Sequence, residues 1–155
     1  MKKYFAIGIL IIIVLSIFVI FKFIFPIDIY VVKGVYMEPT FKDGSEVMAD
    51  ETSINYQRGD MVVIHSPRGA NKYTVLRIVG LPGEKIEIKE GKVFVNEQAL
   101  QESYVQGSTY PGQTVVLDND QYYVMGDNRM HSVDSRLFGP ISYSIIIGKI
   151  KPIHR

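Results

Sequence analysis

From Phe5 to Phe21 the chain carries no charge, and Ile, Phe, Val and Leu fill most of the run. A helix that is apolar on every face belongs either in a large protein core or in a membrane. Lysines flank this run and it has no polar face, which favours the membrane. A helix of ~20 residues spans a hydrocarbon core, so residues 1–25 are predicted to form an anchor with a short cytoplasmic start. Lys2, Lys3 and the terminal amine precede the run. Positive charge collects on the cytoplasmic side of a membrane, so the N-terminus is expected inside the cell and residues 26–155 outside it. Lys22 can reach the interface along its aliphatic stem. A cleavable leader has an apolar region of ~7–15 residues and a small-residue cleavage site. This run is longer and leaves through Phe23-Ile24-Phe25-Pro26-Ile27-Asp28, with no small pair, so an uncleaved anchor is expected.

Beyond Pro26 the apolar period becomes strand-like. Runs rich in β-branched residues occur at 28–33, 61–64 and 73–79. Ile86 and Ile88 alternate with charged residues, Glu90-Gly91 interrupts, and Val93 and Val95 resume the alternation, which predicts a hairpin. Residues 113–117 and 121–125 are joined by the turn-prone Asp118-Asn119-Asp120. The segment 97–112 shows no period and is expected to be loop-rich, while 144–150 gives a last strand. No second helical segment is visible. The expected fold is therefore mainly β, one antiparallel sheet domain on one membrane helix.

Composition narrows the chemistry. With no cysteine, disulfides, thiolate catalysis and cysteine-ligated metals are excluded. The histidines His65, His131 and His154 are scattered and form no HExxH pattern, so no metal centre or other cofactor is expected. A net charge of +1 gives no attraction to nucleic acid.

Short motifs punctuate the strands. Val32-Lys33-Gly34-Val35-Tyr36-Met37-Glu38-Pro39-Thr40 is the first, and Arg58-Gly59-Asp60-Met61-Val62-Val63 follows. Arg77-Ile78-Val79-Gly80-Leu81-Pro82-Gly83-Glu84 is the third. Gly126-Asp127-Asn128-Arg129, followed by Ser132-Val133-Asp134-Ser135-Arg136, is the most specific. In this order and spacing they resemble the type I signal peptidases, the single-anchor form of peptidase family S26, from the anchor to the C-terminus. Members of that family are membrane-anchored Ser-Lys proteases that remove signal peptides from exported proteins, and preproteins and the lipid bilayer are their implied partners.

Such an enzyme needs a serine whose proton is taken by a lysine. That lysine must be buried so that its pKa falls toward neutrality, and backbone donors must hold the oxyanion. The resemblance places the nucleophile at Tyr36 and the general base at Leu76, so neither reactive atom is present. It places the oxyanion region at Gly34 and Tyr36, and peptide contacts at Tyr36, Met37 and Pro39. Arg77, Asp127, Asn128, Ser132, Asp134 and Arg136 correspond to the bracing of the active-site floor, with Ser132 the residue that orients the lysine in active members. Phe41 and Met37 lie where the family meets the bilayer surface, although both also suit an ordinary core.

No substitute for the missing pair stands out. Lys72 lies on the same strand face as Leu76 but ~13 Å away at ~3.3 Å per residue. Lys33 should face away from Tyr36, and His131 abuts Ser132 as a chain neighbour. The expected function is an inactive homologue at the outer face of the membrane that binds signal peptides or an active paralogue. Two alternatives stay open: a working peptidase with an unusual site, and a tethered scaffold with no peptide groove.

Overall fold

The computed structural model describes residues 2–24, 27–68, 72–110 and 112–151. The anchor boundary at 25/26, the exit through Pro26 and His154 lie outside them. Helix α1 runs Lys2–Ile24. Its side chains are described without interruption over 7–20, where they are apolar and exposed apart from Gly8 and Ser16, whose hydroxyl bonds back to Ile12 O at 2.8 Å. No helix among the described residues is long and apolar enough to cross a membrane.

The remainder is mainly β. The strands are β1 (Ile27–Val31), β2 (Glu46–Asp50), β3 (Met61–His65), β4 (Tyr73–Gly80), β5 (Lys85–Lys89), β6 (Lys92–Val95), β7 (Gln98–Ala99), β8 (Val115–Val116), β9 (Gln121–Met125), β10 (Ile141–Ser142) and β11 (Ile146–Ile150). A seven-stranded sheet has the order β1-β2-β11-β3-β4-β9-β10, and a four-stranded sheet the order β7-β6-β5-β8. The strand pairings within both are antiparallel.

β4 is the hub. Residues 75–80 are buried throughout, and alternation sends successive side chains to opposite faces. Leu76 and Ile78 join Tyr56, Val62, Ile64, Tyr122, Val124 and Ile141 on one face. Val75 joins Met37, Val47, Val63 and Ile150 on the other. Val79 turns to a third cluster with Ile86, Val93, Leu117 and Met125, which holds the smaller sheet against the larger. Gly80 permits that approach, because a Cβ there would stand 2.6 Å from Ile86 Cδ1. The large sheet also curls. The rings of Tyr30 on β1 and Tyr73 on β4 meet edge to face at 5.0 Å, although three strands lie between β1 and β4 in the sheet order.

Several sequence expectations need correction. The hairpin at 86–95 forms as read, with Glu90 and Gly91 both at positive φ (52° and 74°). Residues 118–120 join β8 and β9, but these strands lie in different sheets, so the turn carries the chain between layers. The last strand begins only at Ile146, because Ser142 caps a single 3-10 turn over Tyr143–Ile145. A second helix does exist: α2 (Ser135–Phe138) is too short to show a period, and it forms because Asp134 caps it by accepting from Arg136 N. β2 escaped notice because Glu46-Val47-Met48-Ala49-Asp50 has little β-branched character. It is fixed by pairing with β1 and β11 on either side.

Burial pushes the phenols of Tyr56 and Tyr123 up to about 12, helped by Tyr143 and Tyr122 at the first and by Asp134 at the second. Their neutral forms are thus preferred in the folded chain. The stability they confer is complete below the ordinary phenol pKa of ~10 and is lost as pH rises through about 12. A spectrophotometric titration in detergent is expected to show tyrosine ionisation extending well above the ordinary phenol range, together with loss of the β circular-dichroism signal.

Candidate functional site

The chain leaves β9 at Met125 and enters a polar loop, 126–134, in which Asp127, Asn128, Arg129 and Asp134 are buried. Asp127 is wholly buried and receives a two-pronged bond from Arg77, Nε to Oδ1 at 2.8 Å and Nη2 to Oδ2 at 2.6 Å. Thr40 Oγ1 donates to the same carboxylate at 2.5 Å, and Arg77 Nη1 reaches Gly59 O at 2.7 Å. The ring of Tyr104 covers the guanidinium at 4.0 Å. One charge cluster therefore ties together the segments that hold Thr40, Gly59, Arg77, Tyr104 and Asp127.

A second fork joins Arg136 to Asp134, Nε to Oδ1 at 2.8 Å and Nη2 to Oδ2 at 2.7 Å. Asp134 also accepts from Gly126 N at 3.1 Å, and Arg136 Nη1 donates to Arg129 O at 2.7 Å, so this fork sets the return of the loop. Arg129 is nearly inaccessible and donates to Gly126 O, Thr109 Oγ1 and both oxygens of Glu102. These bonds fasten Glu102 and Thr109, from the unpatterned segment, to the 126–134 loop. Burial drives the phenol of Tyr104 well above its ordinary range, with the Glu102 carboxylate adding to the effect.

The loop grips the Val35-Tyr36 backbone. Asn128 N donates to Tyr36 O at 3.0 Å and Asn128 Nδ2 to Val35 O at 3.2 Å. Tyr36 itself is half-buried, and Cε1 of its ring lies 3.9 Å from the point where a Gly34 Cβ would stand. The Gly34 N–H is already engaged, donating to Asp43 Oδ1 at 2.7 Å. Gly126 makes the assembly possible: a Cβ there would sit 2.3 Å from Ser132 Oγ and 2.5 Å from Tyr36 O. Tyr36, Gly126, Asn128 and Ser132 thus meet in one place. The Ser132 hydroxyl is buried and has no hydrogen-bond partner among the described residues.

Leu76 projects from the face of β4 opposite Arg77 and is completely buried among the apolar and tyrosine side chains of its cluster. Met37 is likewise inaccessible, packed with Val47, Val63 and Val75, so it belongs to the core and offers nothing to a bilayer. Phe41 lies partly buried against the same cluster. Pro39 follows a cis peptide bond and is exposed. His131 is exposed, with Nδ1 3.1 Å from Asn128 Oδ1. Lys33 and Lys72 are exposed. Sequence reasoning missed Thr40, Glu102, Tyr104 and the role of Arg129. Arg129 stood inside a quoted motif, but Glu102 and Tyr104 lie in a segment with no pattern to read.

The profile of the family described as "Signal peptidase, peptidase S26" matches residues 3–154. The chain belongs to this family. It is 34% identical over 143 residues to signal peptidase I U of Bacillus subtilis strain 168, covering 81% of this chain and 76% of that protein. Signal peptidase IB of Staphylococcus aureus strain COL is 33% identical over 155 residues, covering 86% and 79% respectively. Among solved structures, a signal peptidase I from Enterococcus faecalis V583 superposes with a TM-score of 0.54 at 28% identity, over 63% of this chain and 97% of that one. The match to peptidase S26 takes in the residues of α1 as well as those of the β domain.

Two substitutions in this S26 loop should act in opposite directions. Gly126→Ala forces a Cβ against main chain as well as side chain and should destabilise the fold by roughly 1–3 kcal/mol. Ser132→Ala removes a buried hydroxyl without a partner, so it should be neutral or stabilising by about 1 kcal/mol. Chemical denaturation of the purified variants in detergent measures both.

Proposed function

We propose that this chain is a non-catalytic signal peptidase I homologue, tethered by α1 with its β domain on the outer face of the membrane. There it binds exported signal peptides, or an active paralogue, without cutting. The observation that carries this reading is Leu76, fully buried in an apolar cluster at the position that the resemblance assigns to the general base. A lysine in such surroundings would be driven toward its neutral, proton-accepting form. A leucine there accepts no proton. The unpartnered hydroxyl of Ser132 fits the same account, since the residue it would orient is gone.

Tyr36 does not restore the reaction. Its phenol oxygen stands at the end of a ring, several bonds farther from the main chain than a serine oxygen. Donors arranged for a serine-centred oxyanion would miss the carbonyl it attacked. The nearby Gly34 N–H is occupied by Asp43. The buried forks meanwhile keep the surrounding backbone in order, which leaves a shaped surface without its chemistry. The membrane reading rests on the charge-free run after Lys2 and Lys3 and on the positive-inside rule.

The test is cleavage of a radiolabelled preprotein in detergent by the wild-type chain, by Tyr36→Ser, by Leu76→Lys and by the double variant. The wild type and both single variants should be inactive, because a nucleophile and its base act as one unit. The double variant should cut. Cleavage by the wild type would overturn the reading. A wild type that neither cuts nor binds signal peptide would leave a tethered scaffold instead.

A further inference from the structure

Besides the outer side of β10, two open strand edges of the large sheet stand out among the described residues. β1 ends the strand order. β4 is paired by β9 only from Arg77 onward, so among the described residues Tyr73–Leu76 has β3 on one side and no strand on the other. The curl of the sheet brings these edges toward each other, and Tyr73 spans the gap between them. Val32 spends its N–H on Ser45 O and its C=O on Gly44 N, both toward the β2 side. Successive residues of a strand point their main-chain groups in opposite directions, so Val31 directs its own to the open edge. There the Tyr73 hydroxyl takes both: Val31 N–H donates to it at 3.2 Å, and it donates to Val31 O at 3.4 Å.

An extended peptide adding to β1 needs that same pair, because a strand residue exchanges an N–H and a C=O bond with its partner. One phenol oxygen, acting as acceptor and donor, imitates the peptide group that would replace it. We propose that Tyr73 is a latch on this gap, which opens to admit an extended peptide between β1 and the first half of β4. The proposal rests on the peptide-binding reading above and names the residue that regulates it.

The parts are suited to such a movement. Tyr30 is fastened, its hydroxyl donating to Glu51 Oε1 at 2.5 Å. Among the described residues, Tyr73 is held at its hydroxyl by the two long bonds to Val31, while its backbone stays in the β3–β4 ladder opposite His65. A change of side-chain rotamer therefore frees the edge without breaking the sheet. Ile29, exposed on β1 two residues before Val31, would then flank an incoming strand.

The probe is a fluorescein-labelled extended peptide covering the cleavage region of a bacterial preprotein, titrated by anisotropy against the full chain in detergent micelles. Tyr73→Phe keeps the ring against Tyr30 and removes only the hydroxyl, so it should bind about three- to tenfold more tightly than wild type. Amide hydrogen exchange reads the contact directly: Val31 should exchange faster in Tyr73→Phe while Val32 is unchanged. Equal or weaker peptide binding by Tyr73→Phe, or an unaltered Val31 rate, overturns the latch and leaves peptide binding standing. If neither wild type nor variant binds the peptide, both the latch and the peptide-binding reading fall.

Discussion

The Arg77–Asp127 fork is the interaction on which the rest of the site depends. Both partners are buried, and they are separated by 50 residues in sequence. Removing one member of a buried pair leaves a charge with neither water nor partner, typically a loss of ~3–5 kcal/mol. That penalty holds whether or not any reaction takes place above the pair. Thr40 and the Gly59 carbonyl join the cluster through direct bonds, and Tyr104 covers it. The loop that grips Tyr36 and the strand that carries Leu76 are therefore fixed relative to each other by electrostatics unrelated to catalysis.

On the proposed reading, this separation explains how reactive groups can be absent from an ordered frame. Leu76 improves an apolar cluster, because a buried lysine there would be costly to desolvate. Tyr36 keeps its carbonyl in the grip of Asn128, a bond indifferent to the side chain. Ser132 keeps a buried hydroxyl with no hydrogen-bond partner among the described residues. The site is stable because its bracing runs through arginine–carboxylate forks and main-chain bonds, none of which passes through Tyr36's or Leu76's side chain.

Most of the architecture was legible where the pattern was local and long. The strands at 61–65 and 73–80 follow from runs of β-branched residues, and the 86–95 hairpin from period two and from Gly91. The motif residues Arg77, Asp127, Asp134 and Arg136 were recognisable as bracing, but not the division into two separate forks. β2 and α2 were missed for a common reason: each is held by neighbours rather than by its own propensity. The same holds for Glu102 and Tyr104, which act on Arg129 and Arg77 across sequence gaps of 27 residues in each case (102 to 129, 77 to 104).

By itself, the sequence determined a charge-free N-terminal run, an antiparallel β body and the absence of serine and lysine from two recognisable motifs. These are properties of composition, of period and of single positions, and they need no knowledge of what touches what. The tertiary structure alone decided that Met37 is core, that the Gly34 amide is taken by Asp43, and that Tyr73 closes onto Val31 from 42 residues away. The last of these arises from the curl of the large sheet, which brings an outer strand against its own middle. Curl accumulates from the twist between neighbouring strands, and no local pattern records where it will bring two edges together.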